Sequence, residues 1–366
     1  MHPTLLQIGD FSLSSYYTMI TLGFLALLIV GRREAIRVGV DTDDFLDMSL
    51  YMLFVGLIGS RLLHVFADGY FWDYVHLCTD PLQVDVPSFI HVKCDSDAAC
   101  LAADAGALCD PEAGRCHPAR DCLAALKFWH GGLAFLGGFV AAAAVALWLI
   151  RRRKLDLEKI YGLGAICVPL ALAIGRVGCL LSGCCFGAVT TGPLGVQFDG
   201  YVKAAGPDVT CPKNYDLITT DDGSQVCAFG RPAFLEHVKH DQLELGARES
   251  LPVHPTQAYE AAFVFAIWLY LYFWRRKRSR FASQGFWELC ILYGVGRFVV
   301  EFFRADDRGI WLGNLSTSQL ISVPMIAFGV WRLYKGFKSL KNPPDLPKAS
   351  GPPAETPLAG HPVEGA

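Results

Sequence analysis

The chain is short of charge for its length: Asp, Glu, Lys and Arg make up 18% of 366 residues, against 52% hydrophobic residues. An ordinary soluble domain carries about a quarter of its residues charged, so this composition excludes that class and points to a membrane protein. Residues 1–14 contain no Lys or Arg, so the basic start of a secretory leader is missing and no cleavage is expected. Also missing are a phosphate-cradling loop of the nucleotide type, a His-x-x-x-His pair and any Cys-x-x-Cys, so neither cofactor nor metal is expected. A nucleic-acid partner is not expected either, and the net charge of −3 says little in a membrane protein.

What the chain does have is long apolar runs. Segments of low charge near 20 residues fall at about 15–31, 45–67, 132–150, 160–181, 256–274, 284–303 and 315–334. The expected fold is therefore an all-α integral membrane protein of about seven transmembrane helices. Basic clusters follow every odd run: Arg32, Arg33 and Arg37; Arg151 to Lys154; Arg275 to Arg280; Arg332, Lys335, Lys338 and Lys341. Because Lys and Arg in short loops stay on the cytoplasmic side, the amino terminus is placed outside and the carboxyl terminus inside. A membrane domain over 1–340 then carries two outer inserts, 69–129 and 188–253. Residues 341–366, rich in Pro, Ala, Gly and Lys, are expected to be disordered.

Cysteine placement agrees with that topology. Cys78, Cys94, Cys100, Cys109, Cys116 and Cys122 fall in the first insert, and Cys211 and Cys227 in the second. An even set in a small polar segment facing an oxidising compartment reads as a disulfide framework. Three bridges are expected in the first insert, in any of fifteen pairings, and a fourth between Cys211 and Cys227.

Two arginines, Arg176 and Arg297, lie inside apolar runs. Placing a guanidinium at mid-membrane costs roughly 2.5 to 3.5 kcal/mol, so such a group faces a polar cavity or an anionic partner. Arg297, Glu301 and Arg304 recur at offsets of four and seven, which puts them within about 60° of one another on a helix. Arg61 and His64 follow Gly56 and Gly59, small residues that let helices approach. Arginine's planar fork binds phosphate oxygens in pairs and keeps its charge when desolvated, so these cations predict a pocket for a phospholipid headgroup. Gly175, Gly178, Gly183 and Gly187 allow tight turns where the fourth run ends, and His254-Pro255-Thr256-Gln257-Ala258-Tyr259-Glu260 opens the fifth.

Taken in order, four segments resemble the prolipoprotein diacylglyceryl transferase family: Gly131 to Gly138, Gly175 to Gly187, His254 to Glu260, and Tyr293 to Arg304. Tyr17 and the run Gln319 to Met325 also fit. The resemblance implies a multi-pass enzyme of the bacterial inner membrane. Such an enzyme moves a diacylglyceryl group from phosphatidylglycerol to the lipobox cysteine of a prolipoprotein, within the lipid bilayer. On that resemblance Arg176, Arg297 and Glu301 are the catalytic candidates. Arg304, Arg61, Tyr17, Gly178, Gly187, His254 and Glu260 are substrate-binding candidates, with Glu301 and Arg304 positioning Arg297. The chain departs from the family pattern in having Leu136 where many members have His, Cys179 and Ser182 where Asn is usual, and Cys184 where Glu is usual. The proton acceptor is thereby left open, with Cys184 and His130 as further candidates; His130 is six residues before Leu136, about 120° away on a helix.

Two other classes fit the residues. One is a lipid-binding or transport paralogue that kept the headgroup pocket and lost catalysis. The other is a membrane thiol–disulfide oxidoreductase built on Cys179, Cys184 and Cys185 beside Arg176, since a nearby cation makes a thiol more reactive.

Overall fold

Backbone N–H and C=O groups in an apolar setting must be satisfied within the chain, and helices do this locally. The computed structural model describes residues 4–8, 11–67, 69–84, 94–102, 106–110, 114–127, 134–205, 211, 215–304 and 315–341. After a short hairpin of β1 (Thr4–Ile8) and β2 (Phe11–Ser14) come the long helices α1 (Ser15–Val38) and α2 (Thr42–Ala67). Helix α1 stops at Gly39, whose left-handed backbone (φ 70°) turns its N–H back onto the Ala35 and Ile36 carbonyls. The first insert holds α3 (Phe71–Thr79), α4 (Asp97–Ala102) and the hairpin of β3 (Leu108–Asp110) with β4 (Arg115–His117).

Helices α5 (Phe135–Arg152) and α6 (Leu157–Ser182) follow; the Asp156 carboxylate caps α6 by accepting from the Glu158 and Lys159 N–H groups. The second insert carries β5 (Gly200–Ala204), β6 (Asp216–Thr219), β7 (Gln225–Gly230) and α7 (Pro232–Lys239). Helices α8 (Thr256–Leu269), α9 (Gln284–Val300) and α10 (Thr317–Lys341) complete the bundle. A wider turn over Tyr270–Trp274 prolongs α8, and a tight turn over Glu301–Phe303 prolongs α9.

Each of the seven apolar runs coincides with one of these helices. Among the described residues, three helices, α2, α5 and α6, are long and apolar enough to cross a membrane by length and composition. Phe54, Ile58, Phe135, Phe302 and Ile321 stand exposed on the bundle, a distribution suited to lipid and costly in water. Helix α6 is the hub, packing on α1, α8 and α9, while α2 pairs with α5 and α9 with α10. The α2–α5 crossing needs small residues: a methyl added at Gly59 would lie 2.7 Å from the Gly137 carbonyl oxygen. The basic helix ends are tied to acids on neighbouring helices, Arg153 to Asp44 and Asp47 at 2.6 and 2.7 Å and Arg332 to Glu158 at 2.9 Å.

Outside the bundle, the segment read from sequence only as an outer insert contains a sheet. Its order is β5-β7-β6, all antiparallel, and α7 covers one face around Val202, Val226, Ala228, Phe234 and Val238. The Leu251 N–H donates to His237 Nδ1 at 3.2 Å, and burial lowers the pKa of this imidazole, so the ring is held neutral. Four disulfides form: Cys78–Cys122, Cys94–Cys109, Cys100–Cys116 and Cys211–Cys227. The last closes a loop of 16 residues onto the buried side of β7. Cys227→Ser is expected to destabilise this small module by about 3 kcal/mol while the helices keep their stability. Hydrogen exchange resolved by peptide checks this, with faster exchange confined to residues 200–250. Of the tail expected to be disordered, residues 342–366 lie outside the described residues.

Candidate active site

Helix α6 delivers Arg176 one and a half turns before it ends, and α8 delivers Glu260 on its second turn. The Arg176 Nη2 atom lies 3.1 Å from Glu260 Oε1, with Glu260 wholly buried. The Tyr293 hydroxyl on α9 donates to the same carboxylate oxygen at 3.2 Å. One turn further along α9, Arg297 lies 2.6 Å from Glu301 and donates through Nη2 to Ser318 Oγ on α10 at 2.9 Å. Tyr293 is within electrostatic range of Glu260, Arg176 and Arg297 together. Among the described residues, Arg176 Nε and Gln257 Oε1 are buried without a hydrogen-bond partner. Buried donors rarely go unpaired, so this side of Arg176 is set up to meet an acceptor supplied from outside the chain.

The turn after α6 is fastened to the same group. Gly183 caps α6 in the left-handed region at φ 77°, and Cys185 adopts the same region at φ 60° although it has a side chain. Two side chains of α8 hold this turn by its carbonyls: Thr256 Oγ1 donates to Cys185 at 2.8 Å and Gln257 Nε2 to Cys184 at 2.7 Å. Gly187 donates to the His254 carbonyl at 2.9 Å, Ala188 donates to that of Phe303 at 2.8 Å, and Gly187 pairs as a bridge with Arg304. The end of α6, the start of α8 and the end of α9 are thus stitched through backbone. The Arg304 guanidinium is within electrostatic range of the Cys185 sulfur.

The structure places the predicted residues in different surroundings. Arg176 pairs with Glu260 on a neighbouring helix, and Arg297 pairs with Glu301 at the end of α9. Gly178 packs beneath α1, with Met19 Cβ 3.0 Å from where its own Cβ would be. His254 Nδ1 meets the Tyr259 hydroxyl at 3.2 Å and its ring packs edge-on against Phe303. Arg304 follows the tight turn over Glu301–Phe303 in extended backbone, and its guanidinium is within electrostatic range of the Cys185 sulfur. Arg61 donates to the carbonyls of Ala124 and Ala125, both at 2.8 Å, and its guanidinium sits over Tyr74. There it lines an apolar cavity of about 470 Å³ between α2, α3 and the insert. Tyr17 is 45% exposed, while its neighbour Tyr16 is the one within electrostatic range of Cys179, Cys184 and Cys185. Leu136 is exposed on the first turn of α5, and His130 lies outside the described residues. Tyr293 and Tyr16 were missed, because an aromatic inside an apolar run carries no signal until its polar tip has a partner.

Exposed apolar helices around guanidinium–carboxylate pairs define a helical membrane protein. Comparison with known proteins is in keeping with this. The family model described as prolipoprotein diacylglyceryl transferase matches residues 3–86 and 116–335, and the chain belongs to that family. Relatives named phosphatidylglycerol–prolipoprotein diacylglyceryl transferase include that of Clostridium tetani (strain Massachusetts / E88), 26% identical over 90% of this chain and 96% of its own length. That of Stenotrophomonas maltophilia (strain R551-3) is also 26% identical, over 95% of this chain and 96% of its own length. That of Xylella fastidiosa (strain 9a5c) is 32% identical over 60% of this chain and 68% of its own length. The matched residues leave out 87–115, the heart of the cysteine-rich insert.

Proposed function

We propose that this protein transfers the diacylglyceryl group of phosphatidylglycerol to the lipobox cysteine of prolipoproteins. The substrate sulfur attacks the glyceryl carbon, a carbon–sulfur bond forms, and the carbon–oxygen bond to phosphate breaks. Glycerol phosphate leaves with the electron pair, and the thiol proton passes to solvent or to the departing anion. The observation that carries this reading is the buried array of Arg176, Glu260, Tyr293, Arg297 and Glu301. In that array Arg176 and Arg297 bind the headgroup phosphate and stabilise the charge that grows on it as the bond breaks. Glu260 and Glu301 hold the two forks in place before lipid arrives, so little reorganisation is left for the reacting step. His254, Gly187 and Gly178 shape the wall of the site, and Arg304 holds the turn that closes it.

Seven spans, with the amino terminus and both inserts outside and the carboxyl terminus in the cytoplasm of a bacterial cell, complete the reading. The inner membrane is then its place of work, and phosphatidylglycerol and lipobox segments are its partners. The test is transfer by purified protein in phosphatidylglycerol-containing micelles. Labelled diacylglyceryl is expected on a lipobox peptide, with the thioether identified by mass spectrometry. Lipid binding without a thioether would instead favour a catalytically altered paralogue, the alternative that Leu136 and Cys184 raise.

A further inference from the structure

The Cys179, Cys184 and Cys185 side chains meet at the outer end of α6, with their three Sγ atoms all within 4.8 Å of one another. We propose that these three thiols form a site for one thiophilic d10 cation, zinc(II) or copper(I), next to the anion-handling array. Thiolates around zinc stand about 2.3 Å from the metal and hence roughly 3.8 Å apart, so the three sulfurs need to close by no more than about 1 Å. This departs from the absence expected on sequence spacing. A single residue from the last turn of a helix and two from a left-handed turn do not make a recognisable ligand spacing.

The setting is that of a ligand set held in advance. The Cys184 and Cys185 carbonyls are pinned by Gln257 and Thr256, and Cys185 is kept in a backbone region that side chains avoid. Binding releases the thiol protons to solvent and leaves three thiolates around the cation, a net charge of −1 with zinc or −2 with copper(I). Cations are in place to offset it: Arg304 is within electrostatic range of Cys185, and Arg176 of Cys179 and Cys185. Ser182 Oγ, 3.4 Å from Cys184 Sγ, is the neighbouring oxygen for the fourth position. The other close triplet, Cys94, Cys100 and Cys109, is committed to the disulfides Cys94–Cys109 and Cys100–Cys116. Cys167 and Cys290 are free but belong to neither triplet.

The site is independent of the transfer reading and is tested without it. Full-length protein in detergent, purified without oxygen or reductant so that the outer disulfides persist, is titrated with cobalt(II). One equivalent is expected to give a thiolate-to-cobalt charge-transfer absorption in the near ultraviolet, bleached by zinc(II). A parallel titration with copper(I) against a coloured chelator tells which cation is held more tightly. The pair Cys184→Ser and Cys185→Ser is expected to abolish the band, whereas Cys167→Ser with Cys290→Ser keeps it. Arg304→Gln should weaken binding about 10- to 100-fold. X-ray absorption at the zinc edge on the unaltered protein needs no variant to fold and should give three sulfurs at about 2.3 Å. Fewer than three sulfurs, a band that survives in the Cys184/Cys185 double variant, or a disulfide within the triad with no metal bound would each overturn the proposal.

Discussion

Arg176→Ala is expected to lower the rate of diacylglyceryl transfer by at least a hundredfold. Removing one preorganised donor from a developing anion costs about 10²–10³ in rate, and here the missing group is also a full charge. A second loss is structural: Glu260 is wholly buried and has the Arg176 guanidinium 3.1 Å away. Removing one partner of a buried ion pair destabilises by about 3–5 kcal/mol, because the other charge is left uncompensated. The double variant Arg176→Ala/Glu260→Gln separates the two effects. It should recover much of the melting temperature, since no lone carboxylate remains, yet stay as slow as the single variant. Arg176→Lys keeps the charge and loses the fork, and an intermediate rate is expected. Initial rates with labelled phosphatidylglycerol, taken beside thermal unfolding in the same detergent, read both. Full recovery of rate in the double variant would mean that Arg176 serves only to neutralise Glu260.

Gly187→Val is expected to remove most activity while leaving the helices folded. A Cβ at this position would collide with the Phe303 carbonyl and would lie 2.7 Å from both His254 Cβ and the His254 carbonyl oxygen, so backbone has to move. The segments that move are the ones stitched there: the turn after α6 and the ends of α8 and α9 that carry Glu260, Arg297 and Glu301. A displacement of about 1 Å at reacting groups costs on the order of a hundredfold. Gly187→Ala meets the same atoms with less bulk and should fall between. Helical circular dichroism is expected to stay unchanged as transfer falls. Activity near that of the unaltered protein would show that the site tolerates movement at this junction.

Much of the bundle is legible in the residues, because an apolar run of about 20 residues has few other solutions. The run at 160–181 became α6 at Leu157–Ser182; of the four glycines expected to turn where it ends, Gly183 caps it, whereas Gly175 and Gly178 lie within the helix. The division of cysteines between inserts is also legible, and all eight cysteines of the two inserts pair inside their own insert. What spacing alone could not give are contacts made after the chain leaves regular structure. Arg61 is held by carbonyls more than 60 residues away. Cys179 meets Cys184 and Cys185 because of two left-handed residues, and helical periodicity says nothing about where such a turn sends its side chains. The sheet β5-β7-β6 was overlooked because its strands are only four to six residues long.

The bridge Cys78–Cys122 brings its two Cα atoms to 4.2 Å of each other across 44 residues. Both ends of a long excursion therefore leave and rejoin the protein at almost one point, below the stretch 87–115 that the family match omits. A lobe hung from such a neck can lengthen, shrink or be exchanged for another without spreading the helices beneath it. This gives the enzyme a natural grafting point beside the bundle, where new recognition can be acquired while the lipid chemistry is left alone.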